Sequence, residues 1–147
     1  MAISVCEVSL TESALVLPET SGDPQAGAVV VFWGAVRAME AGREITGIQY
    51  EAHVAMAEHQ MQLVAENAAK KFDVREIFVR HRIGFVPAAE PSVVVRVASG
   101  HRRAAFAASQ WIMDELKRLV PIWKHPVFKD GSAVSPRAMR QTSDAPA

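Results

Sequence analysis

Apolar positions along this 147-residue chain follow two different periods. From Val54 to Phe72 they fall at Ala57, Met61, Val64, Ala65, Ala68 and Phe72. That spacing of i, i+4, i+7, i+8, i+11 and i+15 is the stripe of an amphipathic helix. A second long helix is predicted from His101 to Leu119. Elsewhere the chain reads as strands. Ile3 to Leu10 is one. Ala28 to Val36 (AVVVFWGAV) is short, β-branched and aromatic, so it reads as a buried strand. Ile45 to His53 and Ser92 to Ser99 are two more. Val74 to Phe85 alternates, with Ile77, Val79, His81, Ile83 and Phe85 on one side. Thr11-Glu12-Ser13 is expected to open a short helix before Pro18. Turns are expected at Thr20 to Gln25, Ala41 to Arg43 and Pro87 to Pro91. Ile122 to about Val134 is expected to close a terminal hairpin around Lys129-Asp130-Gly131. Strands and helices do not alternate regularly enough for a doubly wound sheet, so the class is α+β, with two long helices.

The length suits one domain, residues 1–140, with a polar tail at 141–147. Sixteen basic residues balance sixteen acidic ones, which leaves no global field for nucleic acid or an anionic bilayer. Neither is expected as a partner, and any anion site must be local. No apolar run reaches about 18 residues, which argues against a membrane span. The first residues lack a basic-then-apolar leader pattern. A single cysteine, Cys6, excludes an internal disulfide and a cysteine metal cluster. A soluble cytoplasmic protein is the expectation.

Candidate chemistry is mostly cationic. Cys6 has no positive neighbour to make it a thiolate. Phosphate-binding, dinucleotide and nucleophile-elbow motifs are missing, and the five histidines lack metal-ligand spacing. What stands out is the stretch from His101 to Lys124, HRRAAFAASQWIMDELKRLVPIWK. His101 and Arg102 open a greasy helix, Lys117 lies in its last turn, and Lys124 follows a proline. Cations at both ends of a packed element suit an anionic ligand. Lys117 and Arg118 have a plainer explanation too, since positive charge in a last turn offsets the helix dipole. Arg37, at the end of a strand, joins the set.

Five segments resemble one family: FWGAVR (32–37), YEAHVAMAE (50–58), HRIG (81–84), HRRAAFAA (101–108) and DELKRLVPIWK (114–124). They are similar to the catalytic large subunit of molybdopterin synthase, the MoaE family, collinearly from about Gly27 to Lys124. The resemblance implies an α/β hammerhead-like domain with added antiparallel strands. It implies a homodimer that binds a small ubiquitin-like sulfur-carrier subunit at each end, making a heterotetramer. That subunit's C-terminal Gly-Gly thiocarboxylate gives two sulfurs to cyclic pyranopterin monophosphate, forming the dithiolene of molybdopterin. No metal and no bound cofactor are implied. Lys117 and Lys124 are then the catalytic residues, with Arg37, His101 and Arg102 on the substrate phosphate. Met113, one turn before Lys117, either lines the pocket or packs in the core. Arg137 is the candidate for a late arginine that completes the site.

The chain also departs from that family. His125-Pro126 follows Lys124 where a basic residue and a glutamate are usual, Ala89 replaces a glycine, and no tryptophan follows Gly131. These departures motivate an alternative, a non-catalytic pterin-phosphate-binding paralogue. Arg102 and Lys117 lie fifteen residues apart, or roughly 22 Å along an unbroken helix. Both can serve one small substrate only if His101 and Arg102 come from a second copy of the chain.

Overall fold

The computed structural model describes residues 5–19, 22–131 and 137–138, the last two by their backbone alone. Eleven elements follow in order: β1 (Val5–Thr11), β2 (Ala28–Ala35), β3 (Met39–Glu40), β4 (Arg43–Ala52), α1 (Val54–Lys71), β5 (Glu76–Arg82), β6 (Gly84–Pro87), β7 (Pro91–Ser99), α2 (Arg102–Leu119), β8 (Ile122–Phe128) and β9 (Arg137–Ala138). A four-stranded sheet runs β1-β5-β7-β2, parallel between β1 and β5 and antiparallel elsewhere. A second sheet runs β3-β4-β8-β9, with β6 also paired to β4. The α+β expectation holds.

Both helices lie on the first sheet, α1 against β1 and β5, α2 against β7 and β2, and they touch each other. The stripe of α1 is buried as its spacing predicts, at Ala57, Met61, Val64, Ala65 and Ala68, with Phe72 packed at its end against Trp111. His53 caps the helix, its Nδ1 accepting from the Met56 N–H at 3.2 Å. The matching face of α2 buries Ala105, Ala108, Ile112, Met113 and Leu116. Truncating a fully buried side chain such as Met61 or Ile112 to alanine costs about 2–5 kcal/mol.

Four expectations are corrected. No helix opens at Thr11. Pairing to β5 holds Thr11 extended, and the Ser13 N–H closes on the Thr11 hydroxyl at 3.1 Å, a local turn in place of a helical bond. The run from 28 to 36 is a strand but not a buried one. As β2 it is an edge strand that alternates, with Val30 and Phe32 inward and Val29, Val31 and Trp33 exposed. The alternating run from 74 to 85 is two strands in two sheets. Gly84, at φ +85°, redirects the chain after the Ile83 N–H bonds to the Thr11 carbonyl. The inward residue beyond the break is therefore Val86, while Phe85 is exposed and lies over Gly47. The terminal hairpin is longer than expected. The turn at Lys129–Gly131 forms, with the Gly131 N–H on the Phe128 carbonyl at 3.0 Å, but the return strand that pairs with β8 is Arg137–Ala138. Residues 132–136 and 139–147, which include the tail at 141–147, lie outside the described residues. No helix among the described residues is long and apolar enough to cross a membrane.

Candidate active site

Three chain segments converge where the second sheet meets the last turn of α2. Helix α2 stops because Val120 leaves helical geometry and Pro121 follows, so Lys117 sits in its final turn. The chain re-enters the sheet at Ile122, and β8 sets Lys124 directly opposite Tyr50 of β4. Arg37 follows the buried Val36 at the end of β2. Val36 is clamped on both sides, its N–H on the Glu90 carbonyl at 3.0 Å and its carbonyl accepting from Ala89 at 2.7 Å. Ala89 supplies that bond from a turn at φ +76°, a left-handed geometry that disfavours a Cβ.

Lys117 and Lys124 are half-buried, and neither forms an ion pair or hydrogen bond among the described residues. Their neighbour Arg118 points outward and pairs with Glu115 at 2.9 Å. The last-turn cations thus divide, one held at the surface and one turned inward. Burial lowers the Lys117 pKa, and the charges of Lys124 and Arg37 lower it further against the pull of Asp114. Burial also lowers Lys124, with Glu40 opposing and Arg37 adding. His81 forms the floor. It is buried, held by its Nδ1 on the Arg82 carbonyl at 2.7 Å, and packed edge-on to the Tyr50 ring at 5.0 Å. Since a carbonyl only accepts, Nδ1 carries a proton. Burial drives its pKa to about 4, and the charge of Lys124 acts in the same direction. A small cavity beside it is lined by Met61, Leu116, Val120 and Ile122. Two lysines beside an arginine, over a neutral floor, can hold an anion, and their lowered pKa makes each a readier proton donor.

Residues 6–119 match the family described as MoaE protein. The chain belongs to the MoaE family. A molybdopterin synthase catalytic subunit from Thermoplasma volcanium is 43% identical over 109 residues, covering 74% of this chain and 80% of that one. Molybdopterin synthase from Staphylococcus aureus superposes with a TM-score of 0.72 at 28% identity, over 88% of this chain and 96% of that one. The fold is shared as well, at a TM-score of 0.69 and 20% identity, with a structure described as the complex of subunits 1 and 2 of molybdopterin-converting factor from Helicobacter pylori. That match covers 86% of this chain and 88% of the other.

In this MoaE family chain, Arg37 comes together with Lys117 and Lys124, although it is distant from both in sequence. His101 and Arg102 do not join them. Helix α2 is unbroken from Arg102 to Leu119, and both residues are exposed at its far end. His101 makes no side-chain cap, and the first turn of the helix carries no acid. Met113 is buried among the core residues. The backbone of Arg137 lies beside Lys124 through the β8–β9 pair, and its side chain lies outside the described residues. Cys6 is half-buried, its thiol pushed up first by burial and then by Glu66, the opposite of an activated nucleophile. Among the described residues no group of His, Cys, Asp and Glu is arranged to hold a metal ion. Sequence reasoning missed Glu40, Tyr50 and Asp114. Only Asp114 left a signal, its i, i+3 spacing to Lys117.

Proposed function

We propose that the Lys117–Lys124–Arg37 cluster is the sulfur-transfer site of a molybdopterin synthase catalytic subunit. It moves two sulfurs from the thiocarboxylated Gly-Gly tail of a small ubiquitin-like subunit to cyclic pyranopterin monophosphate. The observation that carries this reading is the pair of inward lysines, neither in an ion pair or hydrogen bond among the described residues, set beside an arginine. With Cys6 disfavoured as a thiolate, the sulfur must arrive already activated, and a thiocarboxylate on a partner meets that need. Lys117, crowded by cations, is the group for proton transfer or covalent attack. Lys124 holds the anionic tail, and Arg37 takes phosphate oxygens bidentately. A free thiol at Cys6 suits a reducing cytoplasm.

The unbroken α2 supports a site completed by two copies of the chain, with His101 and Arg102 of one serving Lys117 of the other. The test mixes the protein with a thiocarboxylated small subunit and cyclic pyranopterin monophosphate and looks for the dithiolene product. No product from a folded protein favours the pterin-phosphate-binding paralogue. Subunit exchange then tests the shared site. Arg102→Ala and Lys117→Ala chains, each inactive alone, should regain activity when mixed. In the hybrid dimer one site carries both lesions and the other carries neither. Confirmed exchange without activity rules out the shared site.

A further inference from the structure

The strand that delivers Arg37 loses its own ladder just before the site. β2 is an edge strand, and its register to β7 slips between Gly34 and Ala35. Past that slip the turn at residues 87–90 takes over, through the two backbone bonds that join Val36 to Ala89 and Glu90. On the far side of Arg37, the Ala38 carbonyl accepts from the Ile45 N–H at 2.9 Å. The turn is itself tied down from two directions. The Ala88 N–H donates to the Thr46 carbonyl of β4 at 2.9 Å. From the end of β5, the Arg82 guanidinium donates to the Glu90 carboxylate at 2.8 Å. For stability alone Arg82 is a poor choice. Its side chain is only 13% exposed, against 47% for Glu90. Its Nε is buried without a hydrogen-bond partner among the described residues. A buried cation with a spare donor is disfavoured against an apolar side chain of similar volume. What it supplies is geometry, a short and directional charge-assisted bond to one point on the turn.

We propose that Arg82 is a positioning residue for Arg37: through Glu90 it fixes the 87–90 turn, and so sets where the Arg37 guanidinium meets the substrate phosphate. This rests on the reading of Arg37 as the phosphate-holding residue. The links run from the Arg82 guanidinium to the Glu90 carboxylate, and from the Glu90 carbonyl to the Val36 N–H, one residue before Arg37. Arg82 acts through this chain of bonds and not on the substrate. A bidentate fork needs a fixed base, because both of its N–H groups must meet oxygens at once. With the Arg82–Glu90 bond cut, the turn keeps its tie to β4 but loses its tie to β5, and the base of the fork loosens.

Arg82→Met tests this. It removes the buried charge and leaves a carboxylate that water can serve, so the fold should be kept. Binding of cyclic pyranopterin monophosphate, followed by calorimetry without the small subunit, should weaken about three- to tenfold. In an Arg37→Ala background the same change should cost nothing further, since no fork is left to aim. Arg82→Lys, which keeps one charged donor, should recover part of the affinity. A purely structural Arg82 would weaken binding equally in both backgrounds, and that result overturns the proposal. Glu90→Ala cuts the same bond from the other side, keeps both backbone bonds to Val36, and carries the test should Arg82→Met fail to fold. Amide exchange reads the tether without any substrate. The Val36 and Ala89 N–H groups should exchange about three- to tenfold faster in Arg82→Met, while Val64 in α1 keeps its rate. Unchanged exchange at Val36 and Ala89 overturns the proposal as well. Faster exchange there, with full substrate affinity in Arg37→Ala, would count against the phosphate reading of Arg37 alone.

Discussion

The two ends of helix α2 carry the same kind of residue and do different things. At the C-terminal end, Lys117 turns inward to meet Arg37 and Lys124 over the neutral His81. At the N-terminal end, His101 and Arg102 are exposed, with no side-chain cap and no acid in the first turn. In sequence both ends look like cations flanking an apolar stripe. What separates them is the second sheet, which reaches the C-terminal end and lowers the pKa of both lysines by burial, while the N-terminal end stays in water. A charge becomes chemically useful where the fold removes its solvent and leaves it outside any ion pair, and among the described residues one copy of the chain does this at one end only.

The sharpest way to break that comparison is Lys117→Ala. Turnover should fall about 10²–10⁴-fold while the thermal transition is kept, because a half-buried lysine adds little packing. Product formation at the wild-type rate would reduce the C-terminal end to a surface like the other.

His81 sharpens the same contrast through pH. Its folded pKa of about 4 lies below the unfolded 6.5, so the unfolded chain binds the proton first. Stability should therefore drop as pH falls from about 6.5 to about 4, by about 3 kcal/mol from this one group, and level off below. Urea midpoints at pH 7, 5.5 and 4.5 would show it. His81→Gln should flatten that part of the slope, and an equal slope in the variant would mean the floor is not neutral.

The pocket wall is the next smaller effect. Arg37→Ala should weaken cyclic pyranopterin monophosphate by about 1.5–3 kcal/mol, the scale of a hydrogen bond to a charged group. Arg37→Lys should recover only part, for want of the fork. Calorimetry decides, and unchanged affinity in Arg37→Ala would place the phosphate elsewhere.

The smallest concerns the turn that clamps Arg37's strand. Ala89 sits at φ +76°, so Ala89→Gly should relieve left-handed strain and raise stability by about 0.5–1 kcal/mol net of glycine's greater unfolded-state entropy. A loss of stability in denaturant titrations would show that the Ala89 methyl packs.

Much of this was legible from residue patterns. The α1 stripe was read residue by residue, because a 3.6-residue period leaves one solution for which face is buried. The break between β5 and β6 was not, since alternation continues past Gly84 in the letters while a positive φ re-aims the chain in space. The run at 28–36 holds no polar residue, so its pattern cannot separate an edge strand from a central one. In the site, the lysine spacing and the family segments pointed to Lys117, Lys124 and Arg37. Tyr50 escaped because it reaches Lys124 through strand register, which pairs it with a residue 74 positions away. Met113 stayed ambiguous because pocket wall and core share one helical face. The structure puts it in the core.

Strand β4 is gripped by β3, β6 and β8, and this has a consequence for how the protein is made. Its partners come from residues 39–40, 84–87 and 122–128, so most of its ladder waits on chain synthesised much later. A nascent chain emerging from the ribosome can form α1 early, from local contacts, but Tyr50 faces no lysine until β8 has cleared the exit tunnel. The anion pocket is thus among the last parts to be assembled, and a chain interrupted before β8 leaves Tyr50 without its lysine.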